Sequence, residues 1–255
     1  MVSIKSKSEI EIMKRSGAIL IAVLKKLQSS IRPGITTKQL DEIAEKLILS
    51  RGAIPSFKGY QMSGVIDFPA SICSSVNEQV VHGIPDHTQL KDGDIISVDV
   101  GVYFEGFHTD AARTWGVGEV SAQAKQIIDV AEASFFEGIK QAVPDRRIDD
   151  ISGAIEDFVH SNGFSIVTDL TGHGIGKKLH EDPSIPNFRS KHKGPRLRAG
   201  MALAIEPMIN VGTSRVKTLQ NGWTVVTNDG KLSSHYENTI IVMDGQPLIV
   251  TLEEQ

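Results

Sequence analysis

Acidic residues stand inside segments that are otherwise typical of buried strands. Asp99 and Asp110 lie near the middles of the two strand-like halves of ISVDVGVYFEGFHTDAARTW, residues 96–115, in which apolar and polar side chains alternate. Strand interiors are poor in Asp, and like charges facing each other destabilise a sheet. The two positions are eleven apart (99 and 110), so a two- or four-residue turn brings both carboxylates to one face of a hairpin.

Two further acidic residues and one histidine also lie in apolar or glycine-rich segments. Glu206 ends the apolar run MALAIE, and Pro207 behind it favours extended backbone at the glutamate. Glu237 lies in the strand-like run SSHYENTIIV. His173 lies in TGHGIG, whose glycines predict unusual backbone angles or close approach of a bound group.

Four carboxylates that meet in an apolar setting need a counter-charge. Divalent metal ions supply one, and an oxygen-rich set suits two ions about 3.5–4 Å apart. Each residue alone has a plainer interpretation: Asp110 can pair with Arg113, Glu237 can face solvent, and His173 can be an ordinary loop histidine. A metal pair explains the whole set at once, whereas the plainer interpretation needs a separate reason for each residue. A helical HExxH zinc motif is absent.

The remaining histidines fall into two groups. His82, which precedes a turn at Gly83 and Pro85, and His180 have no ligand spacing; each can either donate a hydrogen bond to a reacting group or simply pack. We interpret the other five as surface or packing residues: His87, His108, His160, His192 and His235. One of these, His235, is two positions from Glu237 and so shares its strand face.

Hydrophobic periodicity predicts the elements that position these residues. Helices are expected over 8–29, 37–51, 121–142 and 149–162, with strand-like segments between and after them. Ser8 with Glu11, and Thr36 with Gln39, have the spacing of capping boxes at the first two helix starts.

An internal repeat connects the two ends of the chain. Pro33 and Pro144, Leu40 and Ile151, and Gly52 and Gly163 are each 111 positions apart, and Leu90 and Leu197, Gly93 and Gly200, and Asp99 and Glu206 are each 107 apart. The repeat predicts two α/β halves, about 1–120 and 121–250, related by a pseudo-twofold axis within one domain, 1–255. The acids that end equivalent strands would then meet between the halves.

Composition limits the class of protein. The 255 residues are 40% hydrophobic and carry a formal net charge of -4 without a basic block, which argues against nucleic-acid or anionic-membrane binding. A single cysteine, Cys73, excludes an internal disulfide and fits a reducing compartment. No apolar run reaches the roughly 18 residues of a membrane helix. We therefore expect a soluble, cytoplasmic protein.

The ordered set Asp99, Asp110, His173, Glu206 and Glu237 resembles that of the type I methionine aminopeptidases. The stretches SVNEQVVHGIP, DVGVYFEGFHTDAARTW, GHGIGKKLHEDP, AIEPMI and NGWTVVTNDGKLSSHYENTI carry the resemblance over nearly the whole chain, in the form of the short bacterial-type enzymes. It implies the pita-bread fold, an α/β (α+β) architecture with duplicated halves around a central antiparallel sheet. It also implies removal of N-terminal methionine, ahead of a small second residue, from new polypeptides.

The resemblance also assigns roles. It implies two divalent ions (cobalt, manganese, iron or zinc) on the five residues of that set, with Glu206 also moving protons. His82 and His180 would contact substrate and assist catalysis, and Phe68, Cys73 and Trp223 would form the methionine pocket. Asn77 and Ser233 would match a monovalent-cation site. The implied partners are the N-termini of nascent chains, including those at the ribosome, and the implied state is a monomer.

Departures from that family concern the pocket. The residues QMSGVID, 61–67, are extra, Leu179 stands where phenylalanine is common, and His235 stands where glutamine is usual. One alternative is a proline-directed exopeptidase of the same fold, whose members carry an N-terminal domain for which these 255 residues leave no room. A second alternative is a binding module that has lost catalysis, although such proteins lack the ligand set.

Overall fold

The computed structural model describes residues 2–253, so residues 1, 254 and 255 of the predicted single domain lie outside the described residues. Four helices are present among these described residues: α1 Lys7–Ser30, α2 Thr37–Ser50, α3 Ala122–Ile139 and α4 Ile148–Ser161. The strands are β1 Ile54–Pro55, β2 Ile72–Val76, β3 Gln79–Val81, β4 Ile95–Phe104, β5 Phe107–Gly116, β6 Ser165–Ile166, β7 Thr171–Gly174, β8 Glu181–Pro186, β9 Ala202–Ile205, β10 Met208–Asn210, β11 Val216–Thr218, β12 Val225–Thr227, β13 Ser233–His235, β14 Asn238–Ile241 and β15 Leu248–Ile249.

The helices agree with those predicted, with one correction at the first start. Helix α1 begins one residue earlier than expected, and its capping box is Ser6 with Glu9, not Ser8 with Glu11. The Ser6 hydroxyl accepts from the Glu9 amide, and the Glu9 carboxylate accepts from the Ser6 amide, so both orphan donors are satisfied. The predicted Thr36–Gln39 box is present at the start of α2.

The long hairpin β4–β5 carries the two aspartates as predicted. A two-residue turn, Glu105–Gly106, joins the strands, and both turn residues have positive φ (46° and 93°), as a type I′ turn requires. Asp99 pairs with Ala112, and Gly101 pairs with Asp110, so the two carboxylates are diagonal neighbours on one face.

All pairing among the described strands is antiparallel, in four sheets. Strand β4 lies between β1 and β2 and also pairs with β5, whereas the largest sheet has the order β15-β14-β9-β7-β8. Two three-stranded sheets, β13-β10-β6 and β11-β12-β3, complete the set. Helices α1 and α2 pack on the β4 side and α3 and α4 on the β9 side. The α/β (α+β) class with antiparallel sheets is thereby confirmed.

The internal repeat is visible in the backbone. Helices α2 and α4 begin at 37 and 148 and end at 50 and 161, offsets of 148 − 37 = 111 and 161 − 50 = 111. Isolated bridges Thr36↔Gln89 and Arg147↔Arg196 keep both sequence offsets, since 147 − 36 = 111 and 196 − 89 = 107. The division into halves at about residue 120 stays a prediction.

A third apolar cluster combines residues from distant parts of the chain. It contains Met13 from α1, Phe68, Cys73 and Trp223, and Ile241 from β14. Several of its members lie beside the predicted site residues. Among residues 2–253, no helix is both long and apolar enough to cross a membrane.

Candidate metal centre

One cavity of about 340 Å³ is lined by all the metal ligands, catalytic histidines and methionine-pocket residues expected from the sequence. These are Asp99, Asp110, His173, Glu206 and Glu237, together with His82, His180, Phe68, Cys73 and Trp223. They come from β2, β4, β5 and β7 and from the segments that follow β1, β3, β7, β9, β11 and β13. Residues far apart in the sequence therefore face one space.

The acids are held by backbone that is itself fixed. The Thr239 hydroxyl accepts from the Asp110 amide and donates to the Asp110 carbonyl, both at 2.9 Å, which ties β5 to β14. Glu237 lies in the break between β13 and β14, not inside a strand, and its amide donates to the Ala112 carbonyl at 3.0 Å. Asn187 donates to the Glu206 carbonyl at 2.9 Å. The carboxylates consequently have little freedom to separate.

Burial and mutual repulsion disfavour charge on these acids. Asp110 and Glu237 are 3% and 2% exposed. Burial raises the pKa of Asp99 to about 7. Burial, then the neighbouring Glu237 and Asp99, hold the pKa of Asp110 well above its usual range, and burial with neighbouring acids does the same for the pKa of Glu206 and of Glu237.

Unpartnered oxygens show that the site fits a cation. Asp99 Oδ1, Asp110 Oδ1 and Glu237 Oε1 are buried and have no hydrogen-bond partner among the described residues. One ligand atom each from Asp110, His173 and Glu237 lies within 4.8 Å of the others. Buried oxygens without donors are costly unless a cation satisfies them, and carboxylate oxygens with an imidazole suit divalent metals.

His173 presents the nitrogen that a metal requires. Its Nδ1 donates to the Gly174 carbonyl at 2.9 Å, which leaves Nε2 with a free lone pair, 3.7 Å from Glu206 Oε1. Burial lowers the pKa of His173 to about 3, so the ring is neutral. Gly172 and Gly174 do not have positive φ; instead a Cβ at either would lie 2.4 Å from the Ala204 carbonyl oxygen or 2.1 Å from that of Asp182. The glycines therefore permit close strand approach, which corrects the expectation of unusual angles.

His235 is buried, so it is not a surface residue, and its ring nitrogen approaches two of the acids. The side chain is 1% exposed, and its Nε2 lies 3.7 Å from Glu206 Oε2 and 4.0 Å from Glu237 Oε2. In the sequence, this proximity is indicated by the two-residue spacing of His235 and Glu237, which puts both on one strand face. Arg113, interpreted as a possible partner of Asp110, instead donates to the backbone carbonyl of Glu237 at 2.6 Å and stacks 4.3 Å from the Tyr236 ring.

The two histidines of the expected substrate site both line the cavity but contact different residues. His82 is half-buried with a φ of 58°, its ring is edge-on to Trp223, and burial lowers its pKa to about 4. His180 is exposed at the mouth, and its Nδ1 is 2.6 Å from the Tyr60 hydroxyl. Nothing in the sequence pattern alone linked Tyr60 to His180.

The apolar wall is formed by Phe68, Cys73 and Trp223. The Phe68 and Trp223 rings meet edge to face at 5.2 Å, and Trp223 Nε1 donates to the Ile66 carbonyl at 2.8 Å. The extra residues 61–67 thus border the cavity, which Gln61 and Met62 help to line. Leu179 lines it as well.

Asn77 and Ser233 lie next to each other but away from this cavity. The Asn77 carbonyl accepts from the Ser233 amide at 2.9 Å. The Asn77 side chain donates to Asp94 and accepts from the Ile95 amide, and the Ser233 hydroxyl donates to the Ile209 carbonyl. A monovalent-cation site at this pair stays a prediction.

Comparison with known proteins places this arrangement in a family. Residues 11–244 match the model of metallopeptidase family M24. A methionine aminopeptidase of Clostridium perfringens is 55% identical over 252 residues, which cover 99% of each chain. Methionine aminopeptidase 1 of Bacillus subtilis is 48% identical over 244 residues, 96% of each chain.

The fold comparison agrees. A crystal structure of methionine aminopeptidase from Thermotoga maritima superimposes with a TM-score of 0.95 at 40% identity, covering 99% of this chain and 100% of that one. This overlap confirms the pita-bread fold. The chain therefore belongs to metallopeptidase family M24, in the branch formed by the methionine aminopeptidases.

Proposed function

We propose that this aminopeptidase removes N-terminal methionine ahead of a small second residue, by hydrolysis at two divalent ions held by Asp99, Asp110, His173, Glu206 and Glu237. The observation that carries the proposal is the convergence of buried acids with unpartnered oxygens around the lone pair of His173. The family is one of metallopeptidases, which supports metal use without fixing the number or the identity of the ions.

The ions, when bound, supply charge neutralisation and an activated water at neutral pH. Glu206 has its two carboxylate oxygens directed toward His173 and His235 at the edge of the acid cluster. Its Oε atoms can accept a proton from the attacking water and pass it to the leaving amine.

His180 and His82 act on the peptide. The Tyr60 hydroxyl engages His180 Nδ1, which leaves Nε2 to donate to the oxygen of the scissile carbonyl as charge develops there. His82 lines the same cavity and, being neutral at physiological pH, can donate a hydrogen bond near the scissile nitrogen. Neither role requires a charged imidazole.

The methionine side chain fits the apolar wall. Phe68, Cys73 and Trp223 provide aromatic edges and a sulfur atom, surfaces that a thioether packs against favourably. Tyr60, Gln61 and Met62 line the same cavity, and Tyr60 contacts His180. We propose that these side chains limit the room for the second residue, which would account for a preference for a small one.

The tripeptides Met-Ala-Ser, Met-Leu-Ser and Ala-Pro-Ser test the function directly. We expect turnover of the first after loading with Co²⁺ or Mn²⁺, much slower turnover of the second, and none of the third or after chelation. Asp99→Ala and His173→Ala should lose both metal and turnover. Cleavage confined to the X-Pro peptide would favour a prolidase-like enzyme, and metal-loaded protein inert on every methionyl peptide would favour a binding module.

The cellular setting is also a proposal. We propose that the substrates are N-termini of nascent chains in the cytoplasm, including chains still on the ribosome, and that the enzyme works as a monomer. Light scattering at micromolar concentration should give the mass of one 27.7 kDa chain. Co-sedimentation with translating ribosomes, compared with empty ribosomes, tests the partner.

A further inference from the structure

His235 carries a buried nitrogen that lacks a partner. The side chain is 1% exposed, and its Nε2 has no hydrogen bond to any described residue. A buried polar atom in this state costs about 1–3 kcal/mol, so native proteins rarely leave one without a role. The nearest charged atoms are Glu206 Oε2 at 3.7 Å and Glu237 Oε2 at 4.0 Å.

The backbone of His235 is held by hydrogen bonds, which limits how far the ring can lie from the acids. Its amide donates to Thr114 Oγ1 at 3.1 Å, and its carbonyl accepts from the same hydroxyl at 2.8 Å. The Ser97 hydroxyl lies 2.7 Å from Thr114 Oγ1. Because the Thr114 hydroxyl donates its proton to the His235 carbonyl, Ser97 is the donor in this second contact. His235 also pairs with Met208 in the sheet β13-β10-β6.

The carboxylate of Glu206 lies between two imidazoles that differ in their available nitrogen. Its Oε1 lies 3.7 Å from His173 Nε2, and its Oε2 lies 3.7 Å from His235 Nε2. The Nδ1–H of His173 is used on the Gly174 carbonyl, so His173 faces Glu206 with a lone pair. No hydrogen bond to a described residue occupies the Nε2 of His235, so this nitrogen can carry the ring N–H.

We propose that His235 is a positioning residue for Glu206, its Nε2–H donating a hydrogen bond to Oε2 and fixing the carboxylate for metal binding and proton transfer. The 3.7 Å separation exceeds hydrogen-bond length, so the proposal requires the Glu206 carboxylate to turn toward His235 when the ions bind. Groups that orient ligating carboxylates in this way typically change metal affinity or activity by 10–100-fold when they are removed. The inference rests on the two-ion site proposed above.

Three variants separate the possible roles. His235→Gln keeps an N–H donor, His235→Asn has one on a shorter arm that does not reach Glu206, and His235→Leu has none. For each purified protein we would measure the thermal melt, the Co²⁺ dissociation constants and visible spectrum, and kcat and KM on Met-Ala-Ser. The wild-type Co²⁺ titration tests the two-ion site by itself.

We expect His235→Leu and His235→Asn to bind Co²⁺ about tenfold more weakly and to lose about tenfold in kcat with KM little changed, while His235→Gln stays within about threefold of wild type. Wild-type affinity and kcat in all three variants would overturn the proposal. If His235→Gln binds Co²⁺ as weakly as His235→Leu and its Co²⁺ spectrum is altered, His235 is a direct metal ligand and not a positioning residue. If His235→Leu does not fold, the comparison of His235→Gln with His235→Asn tests the positioning role. If the wild-type protein binds no Co²⁺, both the two-ion site and the role of His235 are ruled out.

Discussion

The hydroxyl of Tyr60 lies 2.6 Å from Nδ1 of His180 at the mouth of the cavity. Partial burial raises the pKa of Tyr60, so the phenol remains protonated at neutral pH and can donate to the imidazole. A neutral imidazole that accepts at Nδ1 carries its proton at Nε2. Donation from Tyr60 would therefore set the tautomer that His180 needs to act as a donor to substrate.

Tyr60→Phe should slow the enzyme without removing its metal. A single hydrogen bond of about 1 kcal/mol corresponds to about a fivefold loss in kcat. The Phe ring keeps the edge-on contact with His180, whose centroid is 5.1 Å away, so KM for Met-Ala-Ser should change little. Steady-state kinetics with matched metal analysis checks this. An unchanged kcat would mean that Tyr60 does not control the tautomer.

His180→Ala should have the larger effect on the same step. Removing a donor to a developing oxyanion typically costs on the order of 10²-fold in kcat. The side chain is exposed and is not among the five proposed ligands, so metal content should hold. Normal kinetics in this variant would deny His180 a role in the reaction, and loss of metal would make it a ligand instead.

Trp223 should matter for substrate binding more than for the chemical step. Its ring faces Phe68, and its Nε1–H donates to the Ile66 carbonyl in the extra segment 61–67. Trp223→Phe keeps an aromatic face but loses that donor, so KM for Met-Ala-Ser should rise a few-fold, whereas Trp223→Ala should raise it more. A rise confined to kcat would contradict the assignment of this wall to the methionine side chain.

Cys73 should be unreactive in the folded protein. Burial, with smaller contributions from Asp99, Asp110 and other acids, holds the pKa of the thiol well above its usual range, so the thiolate fraction at pH 7.5 is lower than that of a free cysteine. A disulfide thiol reagent should label no thiol in the native protein and one per chain in guanidinium, with glutathione as control. Rapid labelling of the native protein would show that the wall opens to solvent.

The sequence predicted the scaffold of the site because the relevant signals are local. Strand periodicity and the two-residue turn were enough to bring Asp99 and Asp110 to one face, as the observed register shows. The 111 and 107 offsets anticipated equivalent elements in the two halves, and the helix starts at 37 and 148 preserve the first of them.

The contacts that the sequence did not reveal join distant segments. The approach of Tyr60 to His180 and the donation from Arg113 to the Glu237 carbonyl depend on how separate strands pack, which no periodicity records. The strand-face position of His235 is equally typical of a packing residue, so the sequence alone did not reveal its approach to Glu206. The first capping box was misplaced by two positions because Ser6 and Ser8 have the same spacing to a following glutamate.

Anomalous diffraction from crystals grown with Mn²⁺ or Co²⁺ tests the central claim most directly. We predict two peaks per chain, about 3.5–4 Å apart, surrounded by the oxygens of Asp99, Asp110, Glu206 and Glu237 and by Nε2 of His173. No peak in this cavity, or ions bound only at other side chains, would contradict the account.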